Sequence, residues 1–279
     1  MLKKVSTLIM LILFFIGLSV LLYPAISTYW NSKTQSKVVE SYETIIKGLD
    51  KEATKKMFND AKAYNDALAQ LTFPLRDYSQ VSGYYDTLDL SGNGMMGYVT
   101  IPTIGVEIPI YHGTSDEILA FAVGHMTGTS LPIGGESTHA VLSAHRGLPN
   151  AKLFTDLNKV NVGDAFTITV AEKVITYEVD QILTVRPENT SDIAIIDGED
   201  HCTLITCTPY GINTHRLLVR GTRVDTITRK NTYISDEAYM VDTLVVTPIV
   251  ALPMILILIL IVIFQPVKQE KLIEGDDLK

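Results

Sequence analysis

The chain is poor in cysteine and tryptophan and has no excess of basic residues. Its 279 residues include 2 Cys and 1 Trp, and 23 Lys and Arg stand against 31 Asp and Glu, for a formal net charge of −8 at pH 7. This acidic balance, without a basic patch, argues against nucleic acid as a partner. The sequence also lacks internal repeats and low-complexity tracts, so we expect one globular domain in the middle of the chain.

Long apolar runs occur near both ends. The first, residues 5–23, has no charged residue and follows Lys3 and Lys4, and the second, residues 244–264, is followed by two further lysines. Each run is about long enough to cross a bilayer as one helix. By the positive-inside rule, both termini are expected in the cytoplasm and the body of the chain outside the cell. We therefore predict a protein of the cell membrane with lipid as one partner.

A cleaved signal peptide is the alternative interpretation of residues 5–23. Cleavage would fall near Ala25, but the apolar run is long and lacks a clean small-x-small site, which favours an uncleaved anchor. At the other end, the polar residues 226–243 are expected to link the globular domain to the second apolar run. Residues 265–279 are expected to form a cytoplasmic tail.

Between the two apolar runs, the pattern of apolar residues changes from helical spacing to short β-branched runs. From about residue 34 to 71 apolar residues keep helical spacing, which predicts two helices separated near Gly48 and Asp50. Further on, short β-branched runs alternate with Gly and Pro, which predicts a mainly antiparallel barrel or sandwich. The predicted strands cover residues 97–101, 106–110, 139–143, 165–170 and 175–179 and the runs around Cys207 and Arg216.

Cys207 is the first candidate for a catalytic residue. It follows the run Thr203-Leu204-Ile205-Thr206 and precedes a Thr-Pro-Tyr-Gly turn, as expected of a nucleophile at the end of a strand. A thiol attacks as the thiolate and needs a cation or base nearby. Arg216 opens the next apolar run, and a tight hairpin would return it to the thiol. The alternative is a buried core cysteine with a surface arginine.

The second cysteine helps to decide between these interpretations. On one extended strand Cys202 and Cys207 would stand about 16 Å apart on opposite faces, whereas a disulfide requires Cα atoms within about 7 Å. We therefore expect two free thiols. A free thiol at a strand end outside the cell favours catalysis by Cys207, and Cys202 is expected to be a buried apolar residue.

A reactive thiol needs an acid or base partner, and the chain has six histidines. His145 is favoured because it follows an apolar strand and precedes a Gly-Pro turn, in the kind of loop where catalytic side chains collect. His215, in the turn beside Arg216, remains an alternative on spacing alone. His201 would lie about 20 Å from the thiol on an extended strand. These histidines and the two cysteines match no standard zinc spacing, so we expect no metal and no cofactor.

The motifs around these residues resemble those of the sortases, the membrane-anchored cysteine transpeptidases of Gram-positive bacteria. The resemblance lies in Thr203-Leu204-Ile205-Thr206-Cys207, in Arg216 downstream and in His145 upstream. The runs 142–147, 207–216 and 135–140 are similar to class C, the pilin-polymerising branch. The resemblance implies an eight-stranded β-barrel over residues 88–225, preceded by helices and flanked by two transmembrane helices.

The resemblance also implies a reaction. Cys207 is expected to attack the Thr carbonyl of an LPXTG-like sorting signal, with His145 as acid and base and Arg216 stabilising the tetrahedral intermediate. A Lys amine of the next pilin subunit would then resolve the acyl-enzyme and build a covalent pilus. The partners are accordingly pilin subunits with such signals and the lipid bilayer. A housekeeping sortase, which attaches surface proteins to a peptidoglycan precursor, is the alternative.

One stretch departs from the class C pattern. Class C sortases usually carry a lid with an Asp-Pro-aromatic motif before the barrel, whereas the helical segment 33–87 contains Phe73-Pro74-Leu75-Arg76-Asp77-Tyr78-Ser79. In one interpretation Asp77 and Tyr78 form a reduced lid, in which Asp77 pairs with Arg216 and Tyr78 covers Cys207. The interpretation we favour is an ordinary linker without a plug.

Overall fold

A computed structural model describes residues 2–226 and 255–256 of the chain, with the side chains from residue 9 onward. The chain divides into two units, residues 1–229 and residues 230–279. In the second unit Ile255 and Leu256 are helical. The rest of the predicted segment 244–264, the tail 265–279 and nearly all of the predicted linker 226–243 lie outside the described residues.

One long helix begins the first unit. α1 (Leu2–Lys47) continues through Pro24, so the predicted anchor and the first predicted helix form a single helix. An 18-residue window within it has a mean hydropathy of 2.6 and is not buried by the protein. α1 is therefore long and apolar enough to cross a membrane, the one such helix among the residues described.

The predicted break near Gly48 is confirmed, since α2 (Lys51–Ala69) begins three residues later. The Asp50 carboxylate caps α2 by accepting a hydrogen bond from the Glu52 amide. The buried side of α2 carries Met57, Ala61, Tyr64, Asn65 and Leu68. Two short helices follow, α3 (Pro74–Asp77) and α4 (Asp116–Leu119). Pro74 suits the first turn of α3 because that position needs no amide donor.

Eight strands close into a barrel in the order β1-β2-β3-β4-β7-β8-β6-β5, which confirms the predicted eight-stranded barrel. The strands are β1 (Met95–Ile101), β2 (Val106–His112), β3 (Val123–His125), β4 (Thr138–Ser143), β5 (Ala165–Val170), β6 (Lys173–Val185), β7 (Asp200–Thr208) and β8 (His215–Val224). Two neighbouring pairs are parallel, β2 with β3 and β4 with β7, and the others are antiparallel. As a result β1, β4 and β7 all end at the same rim of the barrel.

Side chains of alternate residues fill the barrel. The Phe166 and Tyr177 rings stack inside it with centroids 5.5 Å apart. Gly221 on β8 leaves room for them, because a Cβ atom there would lie 2.8 Å from both residues. On β7, Cys202 and Leu204 are fully buried in the same core. Because side chains alternate along a strand, the odd-numbered residues of β7, among them Ile205 and Cys207, face outward.

Candidate active site

Cys207 and Arg216 lie directly opposite each other on β7 and β8. Side chains paired in this way have Cβ atoms about 4.5–5.5 Å apart. Cys207 is partly exposed and Cys202 is buried in the barrel, and both are free thiols. The predictions of free cysteines and of a buried Cys202 are therefore confirmed, and the turn between the strands returns Arg216 to the thiol as expected.

The parallel pairing of β4 with β7 brings His145 to the same place. Ser143 is paired with Ile205, and the Ala144 amide still bonds to the Ile205 carbonyl at 3.1 Å. The same register, continued by two residues beyond β4, would bring His145 beside Cys207. The three candidate residues thus form a row at the ends of β4, β7 and β8, in which Cys207 and Arg216 are paired and His145 follows β4.

His215, the alternative base, occupies a different position. It is paired with Thr208 and directly precedes Arg216, and successive residues of a strand point to opposite faces. Its Nδ1 lies 3.0 Å from the hydroxyl of its neighbour Thr214. The register therefore favours His145 over His215 as the imidazole that shares a face with the thiol.

The turn holds the Arg216 guanidinium close to the strand ends. Nη1 donates to the carbonyls of Asn213 at 3.2 Å and His215 at 3.1 Å. These bonds occupy one nitrogen of the guanidinium fork, so the other donors can reach a substrate oxygen. A thiol, an imidazole and a guanidinium in one row supply a nucleophile, a proton carrier and an oxyanion donor. That set of groups is suited to acyl transfer.

Arg146, which was not predicted as a site residue from the sequence, connects the chain segments that carry His145 and Cys207. Its Nε donates to the Thr155 carbonyl at 3.1 Å, its Nη2 to Asn158 Oδ1 at 2.9 Å and its Nη1 to Thr208 Oγ1 at 3.4 Å. Thr208 follows the candidate nucleophile, and Arg146 follows His145. The guanidinium therefore links the two segments that carry the thiol and the imidazole. The sequence signal is a cation directly after the candidate histidine.

The β7–β8 turn also packs on the loop that carries His145. The Tyr210 ring lies 5.9 Å from the Arg146 guanidinium carbon, within range of a cation–π interaction. Gly147 has a φ of 79°, and a Cβ atom there would lie 2.7 Å from the Tyr210 ring. Glycine is therefore required at position 147 by both its conformation and this contact.

An apolar surface lies on the outer face of the sheet, below the catalytic row. We call it the outer cluster. Its buried members are Val141, Ile193, Ile205 and Leu218, and partly buried residues packed against it are Leu75, Met126, Leu183 and Val185. Ile205 and Leu218 are each two residues from a member of the row.

The segment with the predicted lid residues packs near this surface through other contacts than those expected. The Asp77 carboxylate pairs with Arg76 at 2.8 Å, and this hydrogen bond lowers the pKa of Asp77. The Tyr78 ring packs against Gly128. The expected Asp77–Arg216 ion pair is not found among the described residues, and the cover of Tyr78 over the thiol stays a prediction. Leu75 of α3 instead contacts the outer cluster.

A cleft lies on the other side of Arg216. Its volume is about 780 Å³, and it is lined by Arg186, Pro187, Glu188, Asn189, Thr214 and His215. Val185 on β6 is paired with Arg216, so the cleft begins beside the row. Apart from Pro187 the lining residues are polar or charged, and they carry both signs of charge.

Two of the four remaining histidines, His125 and His139, hold buried hydrogen bonds in the barrel. The His125 ring bonds to the Tyr84 hydroxyl and the Ser130 carbonyl, both at 2.8 Å, and burial lowers its pKa to about 4. The His139 ring bonds to the Ala194 carbonyl at 2.8 Å and to Thr203 Oγ1 at 2.7 Å, and burial lowers its pKa to about 4 as well. Within the described residues no group of three or more His, Cys, Asp or Glu could hold a metal ion.

The chain is similar to known sortases over its barrel and helices. A family model of the sortase domain matches residues 99–224. The crystal structure of sortase C1 from Streptococcus agalactiae shares 45% sequence identity with a TM-score of 0.64, over 67% of this chain and 98% of that chain. The crystal structure of sortase C from Streptococcus pneumoniae shares 43% identity with a TM-score of 0.62, over 67% of this chain and 96% of that chain.

A curated relative matches over a shorter stretch. Sortase A of Streptococcus agalactiae serotype III is 31% identical over 117 residues, which are 41% of this chain and 47% of that protein. The chain therefore spans about half the length of this relative, whereas it covers nearly all of the sortase C structures. The identity of 43–45% with these sortase C structures, over nearly their whole length, shows that the chain belongs to the sortase family, in its class C branch, whose members are cysteine transpeptidases.

Proposed function

We propose that this sortase is anchored in the membrane by α1, cleaves an LPXTG-like sorting signal after its Thr, and joins the Thr to a Lys amine of a pilin subunit. The observation that supports the proposal is the pairing of Cys207 with Arg216 across β7 and β8, together with the register of β4 with β7, which His145 follows by two residues. The apolar window of α1 supports the anchor.

The row supports a two-step exchange of acyl groups. In the first step the Cys207 sulfur forms a thioester with the Thr carbonyl while the Thr–Gly bond breaks, and His145 donates a proton to the leaving Gly amine. The Arg216 fork donates hydrogen bonds to the negatively charged oxygen of the tetrahedral intermediate. The thiol has then become an acyl-enzyme, and His145 is neutral.

In the second step an amine replaces the thiolate. The Lys amine attacks the thioester carbonyl, an isopeptide bond forms, and the carbon–sulfur bond breaks. His145 accepts the proton that the amine releases, and Cys207 is restored. The cleft beside Arg216 offers space for the segment that carries this lysine.

The outer cluster supports the proposed donor. A sorting signal of the LPXTG type places apolar Leu and Pro before the Thr whose carbonyl reacts. The apolar residues Ile205 and Leu218 lie two positions from Cys207 and Arg216 and would become accessible when Leu75 of α3 moves off the outer cluster. The pilin acceptor is supported by similarity, since the pneumococcal sortase C structure concerns pilin substrate specificity. A housekeeping function is less well supported, because the sortase A matches are 31% identical over under half of either protein or 24% identical over 82% of this chain, against 43–45% identity for the sortase C structures.

The test uses the full chain in lipid nanodiscs with a sorting-signal peptide and two competing acceptors. One acceptor is a Lys-containing pilin peptide, and the other is an amine analogue of a peptidoglycan precursor. We expect an isopeptide product with the Lys peptide by mass spectrometry. Transfer only to the precursor analogue would support the housekeeping alternative, and the absence of any cleavage would contradict the transpeptidase proposal.

A further inference from the structure

Two hydrogen bonds place the C-terminal third of α1 on the barrel. Toward its C-terminal end, the Tyr42 hydroxyl donates to the Met96 carbonyl at the start of β1, at 2.9 Å. Eleven residues earlier, the Asn31 amide donates to the Asn150 carbonyl in the loop after β4. α1 therefore crosses from the start of β1 to the loop after β4, and the part of the helix before Asn31 continues from that loop, at the rim where β4 ends.

The candidate active site lies at this same rim. His145 follows the end of β4, Cys207 is at the end of β7, and Arg216 is at the start of β8. We call this end of the barrel the catalytic rim. Lys152, in the loop that Asn31 contacts, donates to the Ile104 carbonyl just beyond β1 at 2.8 Å, which ties that loop to the rim.

The apolar part of α1 leaves the barrel from the catalytic rim. Three exposed aromatic residues mark the junction: Tyr23, Tyr29 and Trp30 are 57%, 58% and 71% exposed. Aromatic residues of this kind gather at the boundary between lipid and water. From Tyr23 to Asn31 the helix rises about 12 Å, at about 1.5 Å per residue. The loop that Asn31 contacts thus lies about 12 Å from the apolar segment, a few ångströms beyond the headgroup region of about 5–8 Å.

The catalytic rim also carries exposed apolar side chains. They lie before β5 and between β7 and β8, and are Val162, Tyr210 and Ile212, which are 63%, 60% and 67% exposed. Because β5 and β8 begin at this rim, these side chains lie on one end of the barrel. The opposite end carries exposed apolar side chains as well, namely Val174 at the start of β6, Ile196 before β7 and Tyr85 beside His112, which are 42%, 45% and 66% exposed. The position of α1, and not the number of apolar side chains, therefore distinguishes the two ends.

We infer that the catalytic rim faces the lipid bilayer just beyond the headgroup region, with α1 as the rigid support and the apolar loop tips as the contact surface. The inference rests on the membrane anchor of the proposed function but not on the reaction. A donor whose scissile bond lies close to its own membrane-spanning segment would meet the thiol at the membrane surface. The catalytic end would then be the least exposed part of the barrel to the external solution.

The orientation is tested by site-specific quenching with the full chain in phosphatidylcholine–phosphatidylglycerol vesicles. Cys207→Ala removes the exposed thiol, and Cys202 is fully buried and does not compete for the label. A fluorophore is then attached to Val162→Cys or Ile212→Cys at the rim. Val174→Cys, at the start of β6 on the opposite end, is the control, since it is also an exposed apolar residue. Lipids with a headgroup spin label are the quencher.

We expect labels at the rim to be quenched roughly threefold more strongly than the label at position 174, as for groups at the lipid–water boundary. Trp30, the single tryptophan, reports insertion independently through quenching by brominated lipids. Quenching of Trp30 with equal or stronger quenching at position 174 would overturn the orientation. Absence of Trp30 quenching would contradict the membrane anchor and, with it, the orientation. The transpeptidase proposal would be unaffected, because it is tested by the transpeptidation assay on the wild-type chain.

Discussion

Arg146 donates a hydrogen bond from Nη1 to Thr208 Oγ1 at 3.4 Å, and so connects the residue after His145 to the residue after Cys207. Two further bonds from the same guanidinium reach Thr155 and Asn158 in the loop that follows β4. The imidazole and the thiol belong to chain segments about sixty residues apart, and Arg146 joins these segments at the point where they meet.

Replacement of Arg146 should therefore impair the reaction more than the fold. Arg146→Gln is expected to lower kcat/KM for peptide cleavage by roughly tenfold to a hundredfold, because small displacements of catalytic groups carry costs of this size. The fall should lie in kcat, with little change in KM. Kinetics with a sorting-signal peptide measure both.

Lys152→Ala is the matched control. Lys152 is a cation of the same loop, but it bonds to the Ile104 carbonyl and not to Thr208. It should retain most of the activity. Equal losses in both variants, or a matching drop in thermal stability for Arg146→Gln, would show that Arg146 only stabilises the loop.

His145 should be the acid and base. His145→Ala is expected to lower turnover by roughly two to four orders of magnitude, the usual scale for such a group, whereas His215→Ala should have a much smaller effect. The register explains the difference, because it would bring His145 beside Cys207, whereas His215 is paired with Thr208. Interchanged effects in the two purified variants would assign the proton transfer to the turn.

Leu75 is the residue by which α3 would restrict access to the thiol. Its side chain contacts the outer cluster, and losing about half the burial of a Leu costs roughly 1 kcal/mol, which corresponds to about a fivefold rise in the open population. Leu75→Ala should raise the rate of Cys207 alkylation by iodoacetamide by up to that factor. Asp77→Ala should leave it unchanged, because Asp77 pairs with Arg76. A large increase with Asp77→Ala alone would instead restore the reduced-lid interpretation.

The stability of the barrel should fall in mild acid. Burial lowers the pKa of His125 and His139 to about 4, below the ordinary value of 6.5. The unfolded chain then binds more protons than the folded chain between these values, so stability is full above pH 6.5 and is lost as the pH falls toward 4. Each residue contributes on the order of 3 kcal/mol to this change.

Thermal unfolding midpoints at several pH values measure this dependence. His139→Gln should flatten the fall between pH 6.5 and pH 4 relative to the wild type, even if it lowers the midpoint at pH 7. A wild-type midpoint that does not change over this range would contradict buried, neutral histidines.

The sequence predicted those parts of the site that depend on local order. Cys207 and Arg216 are nine residues apart with a turn between them, so a hairpin was sufficient to bring them together. The position of His145 was not derivable from spacing, because it depends on the parallel pairing of β4 with β7 across more than fifty intervening residues. There the resemblance to sortases, not the local pattern, identified the residue.

Tertiary contacts account for what the sequence did not predict. β3 has three residues and is too short to give a periodic signal. Within residues 73–79 attention fell on the charged Asp77 and the aromatic Tyr78, yet the apolar Leu75 makes the contact with the outer cluster. Arg146 has an ordinary place in a polar loop, and its function follows from partners that only the folded chain brings together.

The central claim is that Cys207 forms a thioester with the substrate, and it is tested most directly by the mass of the chain after incubation with a sorting-signal peptide. Wild type and Cys202→Ala should both gain the mass of the acyl fragment up to Thr. Cys207→Ala should gain nothing and keep its thermal stability, because it loses one small, partly exposed thiol at a strand end. An adduct on Cys207→Ala, or no adduct on a normally folded Cys202→Ala, would contradict the account.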